Sequence, residues 1–528
     1  MLTSLLLHLP HIAAAAAALL CARKLLHYFQ LESYQFHGYF KTVFRQWKAA
    51  LLPPLVLGVL FFLLGLAGER LYDVLLPQRI WKLICIEGLI SGAILALGLG
   101  TSAWLSRGRE KKPFVMTARM KRLYITLGIV AVILLYISPL FMAALFALVA
   151  LAGLISLPIE KGINRMYMRD AQRRMNAQPG LIRIGITGSY GKTSVKNILY
   201  TILSQKYNVL STPASFNTPM GLTRVIRERL EPAHQIFLAE MGARHRQDIR
   251  ELTDFIHPAI GVLTSVGPQH LDTFKSLENI IETKYDLIRA LPENGFAVFN
   301  DDGDICANLY EKTKRTPKAI VGRTGGDAWA EDVQVSARGS AFTLCFPDGS
   351  RTDCTTRMLG AHNISNILLA CAVAKHLGLT NAQIQRGISQ LQPVEHRLQL
   401  LQSRGGVTVI DDAFNSNPVG ASRALDVLSR FPGRRIIVTP GMVELGEKEA
   451  QYNRAFGREM ASAADVCVLI GKKHTQPIRD GLLEAGYPAE DIHAFSSLNE
   501  ATAWLQGFMR AGDFILYEND LPDHYSET

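Results

Sequence analysis

Hydrophobic and polar positions divide this chain into two unlike parts. In the first part the apolar residues come in long runs, near residues 2–22, 50–67, 83–105, 123–138 and 139–157. Each approaches the ~20 residues that an α-helix needs to cross a bilayer, although the second and fourth are short. Ser138-Pro139 is the only interruption between the last two runs, which predicts a tight hairpin. Pro10 and the alanine run 13–18 make the first run the least span-like. A cleaved signal peptide competes there, but no basic segment precedes the apolar stretch to support it. From Leu181 onward short β-branched runs alternate with amphipathic stretches, the pattern of an α/β fold. The expected organisation is an N-terminal α-helical transmembrane bundle (1–158), a basic helical connector (159–180) and an α/β region beyond it.

Charge sharpens this division. The formal net charge of +10 is carried by residues 1–180, with 20 Lys and Arg against 7 Asp and Glu; the remainder is slightly acidic. Positive residues beside apolar spans point to membrane topology and away from nucleic-acid binding. Basic clusters follow the first, third and fifth runs, at Arg23 to Lys48, Arg107 to Arg122 and Lys161 to Arg174, while the loop 68–82 holds few. The positive-inside rule then gives five spans, with the N-terminus outside and everything after residue 158 in the cytosol. Seven scattered cysteines without a C-x-x-C pair indicate neither a disulfide framework nor a zinc site.

The clearest chemistry lies at 182–206, IRIGITGSYGKTSVKNILYTILSQK. A β-branched strand runs into Gly188-Ser189-Tyr190-Gly191-Lys192-Thr193-Ser194, and an amphipathic helix follows at once. Strand, glycine turn, Lys-Thr and helix make a phosphate-binding loop: backbone N–H groups and the helix N-terminus face the phosphates. Lys192 would reach the β- and γ-phosphates, and Thr193 would offer a hydroxyl to Mg²⁺. Ile186 stands where the first glycine of such a loop is usual, so this is a shortened variant. The element predicts an ATP site, on the side of the membrane where ATP is found.

Further polar residues sit where strands end. Asn217 and Thr218 lie in a polar loop that feeds a helix, and the strand QIFLAEMGAR closes near Glu240, well placed for Mg²⁺. His270 and Asp272 follow the next strand, and Lys284 rides on the helix after it. Taken singly, an acid, a histidine or a lysine in such places is more often capping, structural or solvated.

Taken together, TGSYGKTS, AEMGA, SVGPQHLDTF with TKYDL, LPENGFAVFNDD and LGAHNISN, in this order and spacing, resemble the Mur ligases, most closely the MurF type. The resemblance covers about residues 181–450 and continues weakly to 510. It implies a P-loop Mur ligase central domain (181–392) and a Rossmann-like C-terminal domain (393–528). It implies that Lys192 and Thr193 hold the ATP phosphates and one Mg²⁺ with Glu240, that His270 binds a second ion, and that Lys284 is carbamylated to bridge the metals. Asn300 and Asp302 would lie near the nucleotide, with His362, Asn363 and Asn366 on its base side. Arg397 and Asp412 would reach ATP from the C-terminal domain, near the substrate candidates Asn415 and Asn417. The implied reaction is ATP-dependent joining of a carboxylate, through an acyl phosphate, to the amine of an amino acid or dipeptide.

Two departures from the family pattern bear on substrate. Where the MurF type carries a basic Lys-Gly-Ser-Arg segment, this chain reads Glu518-Asn519-Asp520-Leu521-Pro522-Asp523, which suits a cationic amine better than a phosphate. Apolar runs also occupy the place of the family's UDP-sugar-binding domain, so the expected carboxylate is membrane-held or lipid-linked. The competing readings are a ligase acting on another membrane-linked anionic polymer or glycan, and a non-catalytic ATP-sensing scaffold; oligomeric state is open.

Overall fold

A computed structural model describes residues 9–75, 80–105, 113–213, 216–301, 303–314, 316–336, 338–402, 405–414 and 416–520. The chain divides into two compact units, 1–166 and 167–528.

The first unit is helical: α1 (Leu9–Leu31), α2 (Phe36–Arg45), α3 (Leu52–Leu75), α4 (Ile80–Leu105), α5 (Ala118–Ile137) and the start of α6 (Leu145–Asn176). Among the described residues four stretches are long and apolar enough to cross a membrane: Pro10–Leu31, Trp47–Leu64, Ala118–Ile137 and Leu140–Asn176. A shorter apolar helix spans Leu89–Trp104. The helices begin and end away from the expected limits. Arg23 and Lys24, expected after the first span, lie inside α1, and the basic connector expected to be helical at 159–180 is helical to Asn176, as the continuation of α6 through Pro158.

The alanine run that weakens the first stretch in hydropathy has a packing role. Ala13, Ala14, Ala17, Ala18 and Ala22 are buried in the core of the unit. A Cβ on Gly98 of α4 would stand 2.6 Å from the Ala17 Cβ, and Ser102 Oγ donates to Leu20 O at 3.1 Å. Small residues let α1 and α4 approach closely, as in helix pairs driven by packing. The α5–α6 hairpin expected at Ser138-Pro139 is present. Ser156 Oγ donates to Thr126 Oγ1 at 3.0 Å, and Arg122 makes a bidentate pair with the buried Glu160 at 2.6 and 2.9 Å.

The second unit carries three sheets. β1 (Ile182–Thr187), β2 (Val209–Ser211), β3 (Ile236–Glu240), β4 (Ile260–Leu263), β5 (Phe296–Asn300) and β6 (Lys318–Val321) form a parallel sheet in the order β2-β3-β1-β4-β5-β6. Its strands are buried apolar runs because helices cover both faces. The meander β7 (Trp329–Ser336), β8 (Gly339–Cys345) and β9 (Arg351–Thr356) makes a small antiparallel sheet. A helix at Ala361–His376 is buried almost all round in the same core as β1 and β8.

The third sheet has the order β10-β11-β15-β12-β13-β14, from β10 (Gln399–Gln402), β11 (Thr408–Asp412), β12 (Arg435–Thr439), β13 (Val466–Ile470), β14 (Ile492–Phe495) and β15 (Phe514–Glu518). Only β10 runs antiparallel. Parallel strands alternate with helices, the doubly wound arrangement that gathers ligand-facing loops at the carboxyl ends of strands.

Candidate active site

The loop between β1 and α7 (Lys192–Leu203) is fixed by glycine geometry. Gly191 has φ +79°, and a Cβ there would lie 2.8 Å from Asn366 Oδ1; a Cβ on Gly188 would overlap the Thr264 side chain. The loop is also tied to the end of β4. Ser189 N donates to Ser265 O at 2.7 Å, Ser189 Oγ to Gly267 O at 2.8 Å, and Tyr190 OH to Pro268 O at 2.7 Å. Such a backbone cradle at a helix N-terminus suits phosphate. Lys192 Nζ donates to Gly188 O and Ser189 O at 2.8 and 3.2 Å, within the turn itself. Burial lowers its pKa to about 8, with Glu240 pulling it up and Arg397 pushing it further down. Thr193 and Ser194, at the start of α7, are partly buried.

Glu240 ends β3 and pairs in register with Ile186 of β1, so its carboxylate belongs to the loop's neighbourhood. It is 1 % exposed and meets two partners: Lys196 Nζ of α7 at 3.0 Å and Asn217 Nδ2 at 3.1 Å. Lys196 escaped the sequence reading, because a lysine one turn into a P-loop helix looks like a solvated residue. Asn217, expected at the substrate, instead orients Glu240. Thr218, likewise expected there, caps the helix α8 (Pro219–Arg229) by accepting from Gly221 N at 3.3 Å.

Lys284, on α9 (Leu277–Arg289), is 1 % exposed. Burial holds its pKa well below the ordinary lysine range, the Lys192 charge adds to this, and Asp248 opposes it. A lysine so placed favours the neutral amine. His270 has φ +51°, and its Nδ1 lies 2.6 Å from Glu444 Oε2. Asn300, at the end of β5, is 1 % exposed; its Nδ2 reaches Ser265 Oγ at 3.4 Å, and its Oδ1 is buried without a hydrogen-bond partner among the described residues. Asp302 and Asn415 lie outside the described residues.

The helix α10 (Ala361–His376) brings its first turn to the P-loop. Asn363 Nδ2 donates to Leu359 O at 2.7 Å, and Asn366 Nδ2 to Asn363 Oδ1 at 3.3 Å, which leaves Asn366 Oδ1 against Gly191. His362 stands beside Gly360, at the same helix start.

The third sheet supplies the other wall. The Arg397 guanidinium lies 4.4 Å from the Phe414 ring centroid. Burial lowers its pKa, while Asp412 and Glu240 raise it, so this arginine feels acids of both sheets. Asp412, the last residue of β11, accepts from Leu398 N at 3.2 Å. Burial raises its pKa to about 7; Arg397 opposes the rise and Glu518 adds to it.

Two residues of this wall have structural partners. Asn417, expected at the substrate, caps α11 (Pro418–Ser429): its Oδ1 accepts from Gly420 N at 2.8 Å. Glu518, expected in a segment offering negative charge to an amine, is 1 % exposed and turned inward, accepting from Thr439 Oγ1 at 2.6 Å and from Ser416 Oγ. Asn519 Nδ2 donates to Gly441 O at 2.6 Å, and its Oδ1 accepts from Ser416 N at 3.0 Å. The start of the acidic segment therefore laces strand ends together; residues 521–523 lie outside the described residues.

The arrangement fits a nucleotide triphosphate with one divalent cation. The cradle at Gly188 and Gly191 and the Lys192 ammonium suit phosphates, while the lone Oδ1 of Asn300, an acceptor, suits a donor such as a nucleoside hydroxyl. Thr193 and Glu240 form a hydroxyl-plus-carboxylate set suited to Mg²⁺. Among the described residues no three His, Cys, Asp or Glu side chains converge as a metal-binding group, so a second ion would need Lys284 converted to an acid.

Comparison with known proteins agrees with this geometry. Residues 186–374 match the Mur ligase middle domain, and residues 396–517 the Mur ligase glutamate ligase domain. The chain is 30 % identical over 332 residues to the UDP-N-acetylmuramoyl-tripeptide–D-alanyl-D-alanine ligase of Escherichia coli K12, covering 61 % of this chain and 73 % of that protein. Among solved structures, MurF from Acinetobacter baumannii superposes with a TM-score of 0.62 at 26 % identity, over 67 % of this chain and 77 % of that one. MurF ligase from Thermotoga maritima in complex with ADP gives 0.61 at 25 % identity, over 68 % and 80 %.

Proposed function

Since the chain belongs to the Mur ligase family, whose members are ATP-dependent ligases that use Mg²⁺, we propose that it forms the amide bond between a muramoyl-peptide carboxylate and the amine of D-Ala-D-Ala, at a membrane surface. The observation that carries this reading is that Arg397, which precedes β10 of the third sheet and faces Asp412 of β11, lies within electrostatic reach of Lys192 in the P-loop and of Glu240 at the end of β3 in the central sheet.

In the proposed reaction a carboxylate oxygen attacks the γ-phosphorus and the bond from Pγ to the β–γ bridging oxygen breaks, releasing ADP. The amine nitrogen then attacks the acyl carbon, the C–O bond to phosphate breaks, and the nitrogen loses its proton to the departing phosphate or to solvent. Lys192 holds the β- and γ-phosphates and keeps them oriented through transfer. Thr193 and Glu240 would hold Mg²⁺, which neutralises phosphate charge when bound. Arg397, half-buried and braced on Phe414, places a fixed positive charge where negative charge gathers in the transition state. Asn300 and the first turn of α10 (His362, Asn363, Asn366) position the nucleoside. Lys284, whose burial disfavours the charged amine, is suited to take up CO₂ as a carbamate, and only so modified would it hold a second ion with His270. The two sheets together exclude water from an acyl phosphate that would otherwise hydrolyse.

We place the helical unit in the bacterial inner membrane as a multi-pass domain, N-terminus outside and ligase domains cytosolic, taking its four span-length apolar stretches and the shorter apolar helix Leu89–Trp104 as five crossings, with basic residues after the first, third and fifth. That placement favours a lipid-linked carboxylate over a soluble one. A ligase for another membrane-linked anionic polymer is the second reading, favoured by one observation: the strand end at 518–520 is acidic and structural.

The deciding experiment follows ADP release by the full-length protein in nanodiscs. Muramoyl tripeptide is offered in UDP-linked and lipid-linked forms, with D-Ala-D-Ala, against a Lys192→Ala blank. Turnover on the lipid form alone supports the reading in full, and turnover on the UDP form removes the membrane from the substrate site. Absence of amine-dependent turnover on either overturns the peptidoglycan assignment.

A further inference from the structure

A pocket opens at one end of the helical unit, where the turn from α1 to α2 meets the first turn of α5 and the side of α6. Phe29, Tyr34 and Phe36 give it an aromatic wall, and Arg119, Ser156 and Glu160 a polar one. The turn is held in a strained form. Ser33 and Tyr34 are consecutive left-handed residues without being glycine, with φ +53° and +63°, and Tyr34 N donates to Phe29 O at 2.7 Å. Such backbone persists where surrounding structure demands it, and it gathers at ligand clamps. Here it lays the Tyr34 ring against Arg119, whose guanidinium carbon stands 3.8 Å from the ring centroid. Gln30, at the end of α1, fixes the approach to α5 by two hydrogen bonds with the Val115 backbone, at 2.8 and 3.1 Å.

Charge in this pocket is left over. Glu160, buried, accepts two hydrogen bonds from Arg122, at 2.6 and 2.9 Å. Arg119 Nε lies 3.9 Å from the same carboxylate, beyond hydrogen-bond reach, and among the described residues its guanidinium has no hydrogen-bond partner. The acid of the turn itself, Glu32, is engaged on α2, accepting from Thr42 Oγ1 at 2.7 Å. One carboxylate thus faces two arginines, and the second keeps its planar fork of N–H donors, the shape that phosphate oxygens match in pairs. The surroundings are apolar. Ile125 and Ile129 on α5, and Ile155 and Ile159 on α6, are exposed one turn apart, a bed for hydrocarbon chains. Basic pockets between helices at a cytosolic membrane surface are where anionic lipid headgroups settle. We propose that this pocket binds the phosphate of an anionic phospholipid, with Arg119 supplying paired N–H donors and Tyr34 holding the guanidinium flat. The inference rests on the membrane placement given above, which sets this end of the helical unit at the cytosolic leaflet, and it is independent of what the ligase joins.

The test titrates full-length protein in dodecyl maltoside with phosphatidylglycerol, phosphatidylcholine or glycerol 3-phosphate. Retained lipid is counted by native mass spectrometry, and the melting temperature is followed in parallel. Wild type is compared with Arg119→Ala, Arg119→Lys and a control, Lys161→Ala, which removes an exposed basic residue next to Glu160. Wild type should retain phosphatidylglycerol in preference to phosphatidylcholine. Arg119→Ala should need about tenfold more phosphatidylglycerol for the same occupancy, as the loss of charge-assisted hydrogen bonds brings. Arg119→Lys, which keeps the charge without the fork, should fall between the two, and Lys161→Ala should bind as wild type does. Equal retention by wild type and Arg119→Ala overturns the proposal, and so does a wild type without preference between the two lipids. A loss in Lys161→Ala as large as in Arg119→Ala also overturns it, since a basic surface would then act without a pocket. Glycerol 3-phosphate as effective as phosphatidylglycerol makes the ligand a soluble phosphate and overturns the lipid. A full-length chain that stays monodisperse without detergent overturns the membrane placement, and the proposal with it.

Discussion

Asp412 and Glu518 stand side by side as the last register pair of β11 and β15, a half-buried and a buried acid at the carboxyl edge of one sheet. Burial raises both, from 3.8 and 4.5 to about 7; Arg397 opposes the rise of Asp412 and Glu518 adds to it, while hydroxyls from Ser416 and Thr439 pull Glu518 back down. The folded state thus holds protons that the unfolded chain releases. Stability from this pair is fully present below the unfolded values and is lost as pH rises through about 7. The melting temperature of the ligase unit, followed by differential scanning fluorimetry, should fall between pH 5 and pH 8. Glu518→Gln should flatten that fall, and identical slopes in the two proteins would show that the pair does not carry it.

Lys192 titrates in the opposite sense. Its buried ammonium is depressed to about 8, and phosphates laid against it would restore the ordinary value. Nucleotide binding at pH 8.5 should therefore take up protons. Calorimetry in two buffers of different ionisation enthalpy measures that uptake, and Lys192→Ala should abolish it and weaken binding at least tenfold. Equal heats in both buffers would place the lysine away from the phosphates.

The two glycines of the loop should respond unequally to alanine. A methyl at Gly188 overlaps the Thr264 side chain, which is itself bonded to Thr187 O at 3.2 Å, so the cradle must open. At Gly191 the costs are a left-handed φ, roughly 1 kcal/mol, and a shift of the Asn366 amide. Gly188→Ala should lose nucleotide binding with the fold intact by circular dichroism, whereas Gly191→Ala should retain weakened binding. The reverse order would contradict the geometry.

The Lys196–Glu240 pair, almost sealed from solvent, links stability to metal. Removing one partner of a buried ion pair costs about 3–5 kcal/mol, because the other charge is stranded. Lys196→Met should lower the melting temperature sharply, and Mg²⁺ should recover more of it than in wild type by partnering Glu240. A variant whose loss is indifferent to Mg²⁺ would remove Glu240 from the metal site.

In the helical unit, Arg122 and Glu160 join α5 to α6 through two hydrogen bonds. Glu160 is buried and Arg122 partly exposed, so Glu160→Ala should cost about 1–3 kcal/mol, between the exposed and buried cases. Thermal unfolding in detergent measures the loss, and the double variant Arg122→Met, Glu160→Leu should recover part of it.

What the sequence revealed of this molecule is what lies close together along it. The P-loop, the strand-end position of Glu240 and the α5–α6 hairpin are local patterns whose geometry follows from glycine, β-branching and proline. The partners of these residues were hidden. Glu444 meets His270 across 174 positions and Thr439 meets Glu518 across 79, distances over which no periodicity speaks. Polar residues were the hardest to assign, since Asn417 and Thr218 look the same whether they cap a helix or hold a substrate. Hydropathy also ended the first apolar run at Arg23 and Lys24, although α1 continues through both to Leu31.

The place of β15 has a consequence for how the protein is made. The last strand of the described residues is threaded between β11 and β12, and the parallel pairing of the third sheet passes through it. Until Phe514–Glu518 has been synthesised, β10–β11 and β12–β13–β14 are two fragments, each with a bare edge open to other chains. The central sheet, whose strands are all in place by Val321, is free to form while translation continues. A ribosome that stalls within the final strand therefore releases a chain with a finished phosphate cradle and an unclosed, aggregation-prone lid, a product that quality control can recognise by its edges.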